Sequence, residues 1–169
     1  EITACCLAMT ADCLACSEGV SVEEYCAKNP QTIGCDTETT EEFEISTFQM
    51  TDDEVCMEDG KPLVILYSTT YCPHCVWIKD TFESVVAAYD NIAAYHWELD
   101  EGDNKLTEVM ESTLPKEHIN ILKAYDPNGY VPTFVIGCKY YRIGNGYESS
   151  KDLDMEAKEL RAVIDAVIA

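Results

Sequence analysis

The stretch LVILYSTTYCPHCVWIK, residues 63–79, decides the fold. Its first five residues are a continuous apolar run of strand length, the pattern of a strand buried on both faces. From Cys72 the pattern changes. CPHCVWIKDTFESVVAAY (72–89) gathers Val76, Ile78, Phe82, Val85, Val86 and Tyr89 into the apolar side of a helix. Pro73 suits the first helical turn, where its missing N–H costs nothing. Two cysteines two residues apart, Cys72 and Cys75, therefore stand where a strand hands over to a helix.

That position has a chemistry. A thiolate, not a thiol, attacks a disulfide. A helix N-terminus offers free N–H groups and a partial positive charge, both of which favour the anion. Cys75 lies one turn on, within reach to close a small ring with Cys72. His74, between the two sulfurs, adds stabilisation when protonated or hydrogen-bonding. Stabilising the reduced form makes the disulfide a stronger oxidant. The competing readings are an inert staple and half of a zinc site. Zinc wants four ligands, usually from two such pairs, and Cys13-x-x-Cys16 offers the other half. The strand–helix context favours a redox pair. A second feature is VPTF, residues 131–134, directly before a strand. Proline removes a ladder donor, so Pro132 must sit at the strand's start. A cis Val131–Pro132 bond would leave the Val131 backbone free to pair with an incoming peptide.

Around these motifs, FEISTFQM (43–50) reads as a strand, and Thr51 as the cap of a short helix, DDEVCMED, ended by Gly60. IAAYHWELD (92–100) is the next strand, and 101–114 is ambiguous. PKEHINILKAY (115–125) is helical, TFVIG and KYYRIG (133–144) form a hairpin around Gly137–Cys138, and KDLDMEAKELRAVIDAVI (151–168) is a last amphipathic helix. Strands alternating with helices argue for an α/β fold with a parallel core, and the late hairpin adds antiparallel strands.

The motifs carry a resemblance. STFQMTDDEVCMEDGKPLVILYSTTYCPHC (46–75) resembles the strand–helix–strand–CxxC opening of the thioredoxin superfamily, and AYDPNGYVPTFVIG (124–137) resembles its cis-proline loop and following strand. The CPHC sequence is similar to that of DsbA-type periplasmic oxidases, and YSTTYCPHC (67–75) is also similar to the YSxTxCPxC run of glutaredoxins. The resemblance covers residues 43–169 and implies a thioredoxin fold, a central mixed sheet flanked by helices. It implies Cys72 as the attacking cysteine, Cys75 as the resolving cysteine and Pro132 as the cis-proline of a substrate groove. Val131 and Tyr71 would line that groove. There are two departures. Many members bury an acid six positions before the first cysteine; here Leu66 stands there, so a proton relay to the second cysteine must use water or another group. Residues 101–118 are also too short for the helical insertion of DsbA.

Residues 1–35 lie outside the resemblance and hold six cysteines, Cys5, Cys6, Cys13, Cys16, Cys26 and Cys35. TACCLAMTADCLAC (3–16) reads as a helix with Cys6, Cys13 and Cys16 on one face, ended by Gly19. Ser21 with Glu24 forms a capping-box pattern that starts VEEYCAK (22–28). So small a hairpin needs cross-links, and three structural disulfides are the expectation, with fifteen possible pairings. A second dithiol exchanging with Cys72 and Cys75, or a metal site, are the alternatives. DTETTEE (36–42) is an acidic linker. Cys56 and Cys138 either pair or stay buried and free. His96 and His118 read as ordinary surface or half-buried residues. Trp77 divides evenly between core and an apolar rim beside Tyr71.

Bulk properties narrow the function. Among 169 residues, 32 acidic against 11 basic give a net charge of −21, which disfavours nucleic acid and anionic membrane surfaces as partners. No apolar run approaches the ~18–20 residues of a membrane span. Ten cysteines suit an oxidising, extracytoplasmic compartment, secreted, periplasmic or lumenal, with a signal peptide removed. The expected function is thiol–disulfide exchange on protein cysteines, in the oxidase or isomerase direction. A glutaredoxin- or thioredoxin-like reductase is one alternative. A secreted binding module whose cysteines are all structural is another. Cysteine chemistry needs no metal or organic cofactor. The expected partners are cysteine-containing protein substrates and a separate redox protein that resets the pair.

Overall fold

The chain divides into two units, Glu1–Glu42 and Phe43–Ala169, in the computed structural model. The described residues are 10–29, 32–35 and 43–169; Cys5, Cys6 and the linker 36–42 lie outside them.

In the first unit, helix α1 (Ala11–Glu18) ends at Gly19, whose φ of 69° is the left-handed conformation that favours glycine. Helix α2 (Val22–Lys28) starts as the capping pattern expects, with Ser21 Oγ accepting from the Glu24 amide at 3.1 Å. Ala11, Ala15, Tyr25, Cys26 and Cys35 form a small buried cluster. Cys26 and Cys35 are bonded to each other, and Cys13 and Cys16 are each in a disulfide. So few apolar side chains bury too little area to hold a fold alone, so the cross-links carry much of the stability.

In the second unit, β3 (Lys61–Ser68) is the central strand, buried from Pro62 to Ser68. It pairs in parallel with β4 (Ala93–Glu98) and antiparallel with β6 (Thr133–Ile136). Outside β6 run β7 (Tyr140–Ile143) and then β1 (Gln49–Met50); outside β4 runs β5 (Asp103–Asn104). A short strand β2 (Met57–Glu58) folds back on the start of β3. Alternation along β3 divides two cores. Val64 and Leu66 face helices α3 (Pro73–Val86) and α5 (Leu153–Ile168), with Ile78, Phe82, Leu160, Val163 and Ile164. Leu63, Ile65 and Tyr67 face helix α4 (Lys116–Tyr125), with Trp97 and Leu122. Both faces are covered, which is why the run carries no polar alternation. Among the described residues no helix is long and apolar enough to cross a membrane.

Two expectations fail, each for a visible reason. Residues 52–59 form no helix. The Cys56 amide bonds to Gly137 O at 3.0 Å, and Cys56 is joined to Cys138 by a disulfide. Asp59 and Gly60, with φ of 50° and 78°, then make a tight turn that returns Met57–Glu58 against Lys61–Pro62. Asp-Gly is a strong hairpin signal, and here it overrides the Thr51 cap. Residues 43–50 are a strand only at Gln49–Met50. The amides of Ser46 and Thr47 are taken instead by the Glu159 carboxylate, at 2.5 and 2.7 Å.

Glu159 belongs to a buried charge cluster. Arg142 donates to Glu156 at 2.6 Å and to Thr47 Oγ1 at 2.7 Å, lies 3.5 Å from Glu159, and stacks over Phe48 and Phe134. Both glutamates are fully buried. A buried charge stripped of its partner is strongly destabilising. Arg142→Met is therefore expected to lower unfolding free energy by about 3–5 kcal/mol in urea titration; a loss below about 1 kcal/mol would show that the cluster is not held by this cation.

Candidate active site

The site stands where β3 and β4 end and β6 begins. After Ser68, the turn is fixed by Asp100, which accepts from the Thr70 amide at 3.0 Å and from its hydroxyl. The Thr70 hydroxyl is the first cause that holds the Asp100 carboxyl below its usual range, ahead of the opposing effect of burial. Cys72 is the N-cap of α3, with extended φ and ψ, and Pro73 opens the helix. The Cys75 amide donates to Cys72 Sγ at 3.2 Å, so the sulfur takes the place of a capping oxygen. Cys72 and Cys75 are both free thiols. Burial, then the hydrogen bond with Cys72, pushes the Cys75 thiol up to about 12.

Val131 and Pro132 come to the same place from the other direction. Their peptide bond is cis, and the Val131 carbonyl lies 3.7 Å from Cys72 Sγ. Pro132 O accepts from the Gly144 amide at 2.7 Å, which anchors the loop at the start of β6. Tyr71, Val76 and Tyr130 are exposed. Trp77 is half-buried against the core beneath α3. Val76 and Tyr130 are thus apolar surface that the motif reading does not pick out.

His74 is brought to the site but turned to an unexpected partner. Its Nδ1 lies 2.8 and 2.9 Å from the Glu148 carboxylate, in the 3₁₀ turn Glu148–Ser150. Asn145 donates to the same carboxylate at 2.8 Å and to the His74 carbonyl at 3.0 Å. Burial raises the Glu148 carboxyl, but hydrogen bonds from Asn145 and His74 outweigh it and hold the group below its ordinary value. Among the described residues, the Cys72 sulfur meets the Cys75 amide and the Val131 carbonyl, while His74 is committed to this clamp.

His96 and His118 are not surface residues. Each is 1% exposed. His118 packs on the α4 face, accepting from Trp97 Nε1 at 3.0 Å and lying 3.4 Å from Glu58. His96 faces α3, between Glu83 Oε1 at 2.8 Å and Ser68 Oγ at 2.8 Å. A histidine inside the apolar strand AAYHWE is the available signal; Glu83, Asn145 and Glu148 give none, because their partners are distant in sequence. The zinc reading needs thiols at Cys13 and Cys16, and both are in disulfides.

No protein-family model matches the chain, and no curated protein matches it in sequence. Two solved structures are similar to it. One is the oxidoreductase NmDsbA1 from N. meningitidis, at 12% identity and a TM-score of 0.51, covering 74% of this chain and 93% of that one. The other is the oxidised T176V DsbA1 mutant, at 16% identity and a TM-score of 0.41, covering 73% of this chain and 96% of that one. The chain has a thioredoxin/DsbA-like fold. In that fold the mixed sheet of β3, β4, β6 and β7, with helices on both sides, is the frame that sets Cys72 opposite Val131 and Pro132.

The clamp on His74 has a pH signature. Glu148 is depressed in the folded protein, so its contribution is present above the ordinary carboxyl value of 4.5 and is lost as pH falls below it. Asn145→Ala removes the larger hydrogen-bonding cause, and the Glu148 midpoint is expected to rise toward 4.5 in a carbon-detected NMR titration. A wild-type midpoint already at or above that value would mean the clamp does not form in solution.

Proposed function

We propose that this protein is a thiol–disulfide oxidoreductase that exchanges disulfides with protein cysteines through a mixed disulfide at Cys72, working as an oxidase or isomerase. The observation that carries the reading is the free pair Cys72 and Cys75 at the start of α3, with the Cys72 sulfur capping the helix and facing the Val131 carbonyl. Every other described cysteine is disulfide-bonded, which supports an oxidising, extracytoplasmic setting and a stapled N-terminal appendage.

In the oxidising direction a substrate thiolate attacks Cys72 Sγ of the Cys72–Cys75 disulfide. A substrate–Cys72 bond forms, the Cys72–Cys75 bond breaks, and Cys75 leaves as a thiolate that takes up a proton. The substrate's second thiolate then attacks its own first sulfur, forming the substrate disulfide and releasing Cys72 as a thiolate. Two electrons pass from substrate to enzyme. The helix N-terminus and the Cys75 amide stabilise the departing Cys72 anion, which favours this direction. An extended substrate strand pairs with the Val131 backbone ahead of Pro132, and Tyr71, Val76 and Tyr130 receive its apolar side chains. A separate redox protein reoxidises the pair. No metal or organic cofactor takes part in these steps.

Cys72→Ser is expected to abolish oxidative refolding of a reduced, unfolded protein, while Cys75→Ser, mixed with a disulfide-containing substrate, accumulates a mixed disulfide at Cys72 visible by non-reducing electrophoresis. Retention of full activity by Cys72→Ser would sink the redox reading and favour a binding module with structural cysteines only. Equilibration with glutathione fixes the direction: a potential near ~−120 mV is the oxidase outcome, and one near ~−270 mV would make the protein a reductase.

A further inference from the structure

The thiol of Cys75 must lose its proton whenever it attacks and regain one whenever it leaves, yet it is buried at 2% exposure in the first turn of α3. Behind it lies a cleft of about 270 Å³, lined by Cys75, Ser68, Thr69, His96, Glu98 and Lys105 among others. Thr69 lines the same cleft, and its hydroxyl is buried without a partner. Next to Thr69, Ser68 Oγ lies 2.8 Å from His96 Nε2, and His96 Nδ1 lies 2.8 Å from Glu83 Oε1. Cleft and chain of groups meet at Ser68 and His96, both 1% exposed. Such a cleft is polar and large enough for water to complete the path from sulfur to Ser68.

We propose that Ser68, His96 and Glu83 form a proton relay that serves Cys75. The inference rests on the redox reading of the Cys72–Cys75 pair. Glu83, a carboxylate, accepts from His96 Nδ1–H, which fixes the tautomer and leaves the Nε2 lone pair to accept from the Ser68 hydroxyl. During resolution the Cys75 proton passes through the cleft to Ser68 Oγ, while the Ser68 proton moves to His96 Nε2. The resulting imidazolium is paired with Glu83. The Cys75 electron pair attacks the Cys72 sulfur of the mixed disulfide, the Cys72–Cys75 bond forms, and the substrate thiolate leaves. In the reverse direction the same path returns the proton to Cys75.

The other charged groups near the histidine are already engaged or of the wrong sign. Glu98, on the same strand, is ion-paired with Lys105 at 2.9 Å, and Lys105 is further held by Glu101 and Asp103. Lys79 of α3 opposes protonation of His96, while Glu83 and Glu98 favour it. Burial is the largest influence and keeps His96 below its ordinary 6.5, so it is neutral and ready to accept at pH 7. Ser68, His96 and Glu83 are positioning residues, because Cys75 alone touches the reacting sulfur.

The test is stopped-flow reaction of the reduced full-length chain with one equivalent of 5,5′-dithiobis(2-nitrobenzoic acid). Attack by Cys72 releases one aryl thiolate and resolution by Cys75 releases the second. From pH 5 to 9 the wild-type second phase is expected to rise and level above the His96 titration. Ser68→Ala is expected to slow the second phase about ten- to a hundredfold at pH 7, within the usual range for a lost proton-transfer group, and to leave the first phase within about twofold. Its second phase should climb about tenfold per pH unit, as unassisted thiol ionisation requires. Glu83→Gln, at a half-exposed position that tolerates the change, should slow the second phase in the same direction, and Ser68→Thr should restore it. Unchanged second phases in both variants, or equal slowing of both phases, would overturn the relay. A wild type that releases neither thiolate would overturn the redox reading itself, and the relay with it.

Discussion

The pairing of β3 is the constraint on which the rest depends. Because β3 runs parallel to β4 and antiparallel to β6, the ends of two strands and the beginning of a third meet at one rim. The register makes this concrete: Ser68 stands beside Glu98, and Tyr67 beside Thr133. The chain leaving β3 therefore enters α3 at Cys72 next to the loop that enters β6 at Pro132. Neither motif could be displaced by one residue without turning β3 over and exposing Val64 and Leu66 or Ile65 and Tyr67 to the wrong helices. The apolar run that holds the molecule together is also what aims the two sulfurs.

The buried charges extend that frame to the far side of the site. Arg142 lies on β7, donates to Gly144 O at 3.0 Å, and shares Glu156 with the Tyr147 amide, which donates to that carboxylate at 2.7 Å. The turn between Gly144 and Glu148 is thus held from below by the same cluster that fastens Ser46 and Thr47 to α5. Asn145 and Glu148, which hold His74, project from this turn. Taking carboxylates out of water is costly, and an apolar cluster would match or exceed it in stability. What the ions supply is direction, since the two carboxylates also hold the backbone amides of Ser46, Thr47 and Tyr147.

Features governed by local rules are legible in the sequence. Helices α2, α3 and α5, the strand LVILY, the 133–144 hairpin and the placement of Cys72 all come from periodicity, capping and turn residues, because those signals act over three or four positions. The 52–59 segment misleads because a Thr cap and an Asp-Gly turn compete there. The winner is set by Gly137 and by Cys138, which stands 82 residues beyond Cys56 in the chain. The truncated strand at 43–50 has the same origin, since its amides are claimed by a glutamate 112 and 113 residues distant. Pairing of Cys56 with Cys138 is one of two options the sequence leaves open, and only the fold brings those sulfurs together. His96 misleads in a more instructive way: a polar residue in an apolar strand reads as a surface or half-buried residue, when full burial with two partners is the other solution to the same problem.

That solution bears on Leu66, which stands where the thioredoxin resemblance leads one to expect an acid. Leu66 is fully buried and packs in the core with Ile78, Phe82 and Phe134. A carboxylate there would have to be desolvated in the middle of the central strand, at a cost of several kcal/mol unless paired. The register sets His96 directly beside Leu66 on the adjacent strand, facing the same helix. A neutral imidazole is far cheaper to bury than an ion, and its two nitrogens can be satisfied by Ser68 on one side and Glu83 on the other. Moving the titratable group one strand sideways keeps the core continuous beneath α3 and still leaves a base at the edge of the cleft behind Cys75. The charge that forms on that base is met by Glu83 at the surface of the helix, where water screens what remains.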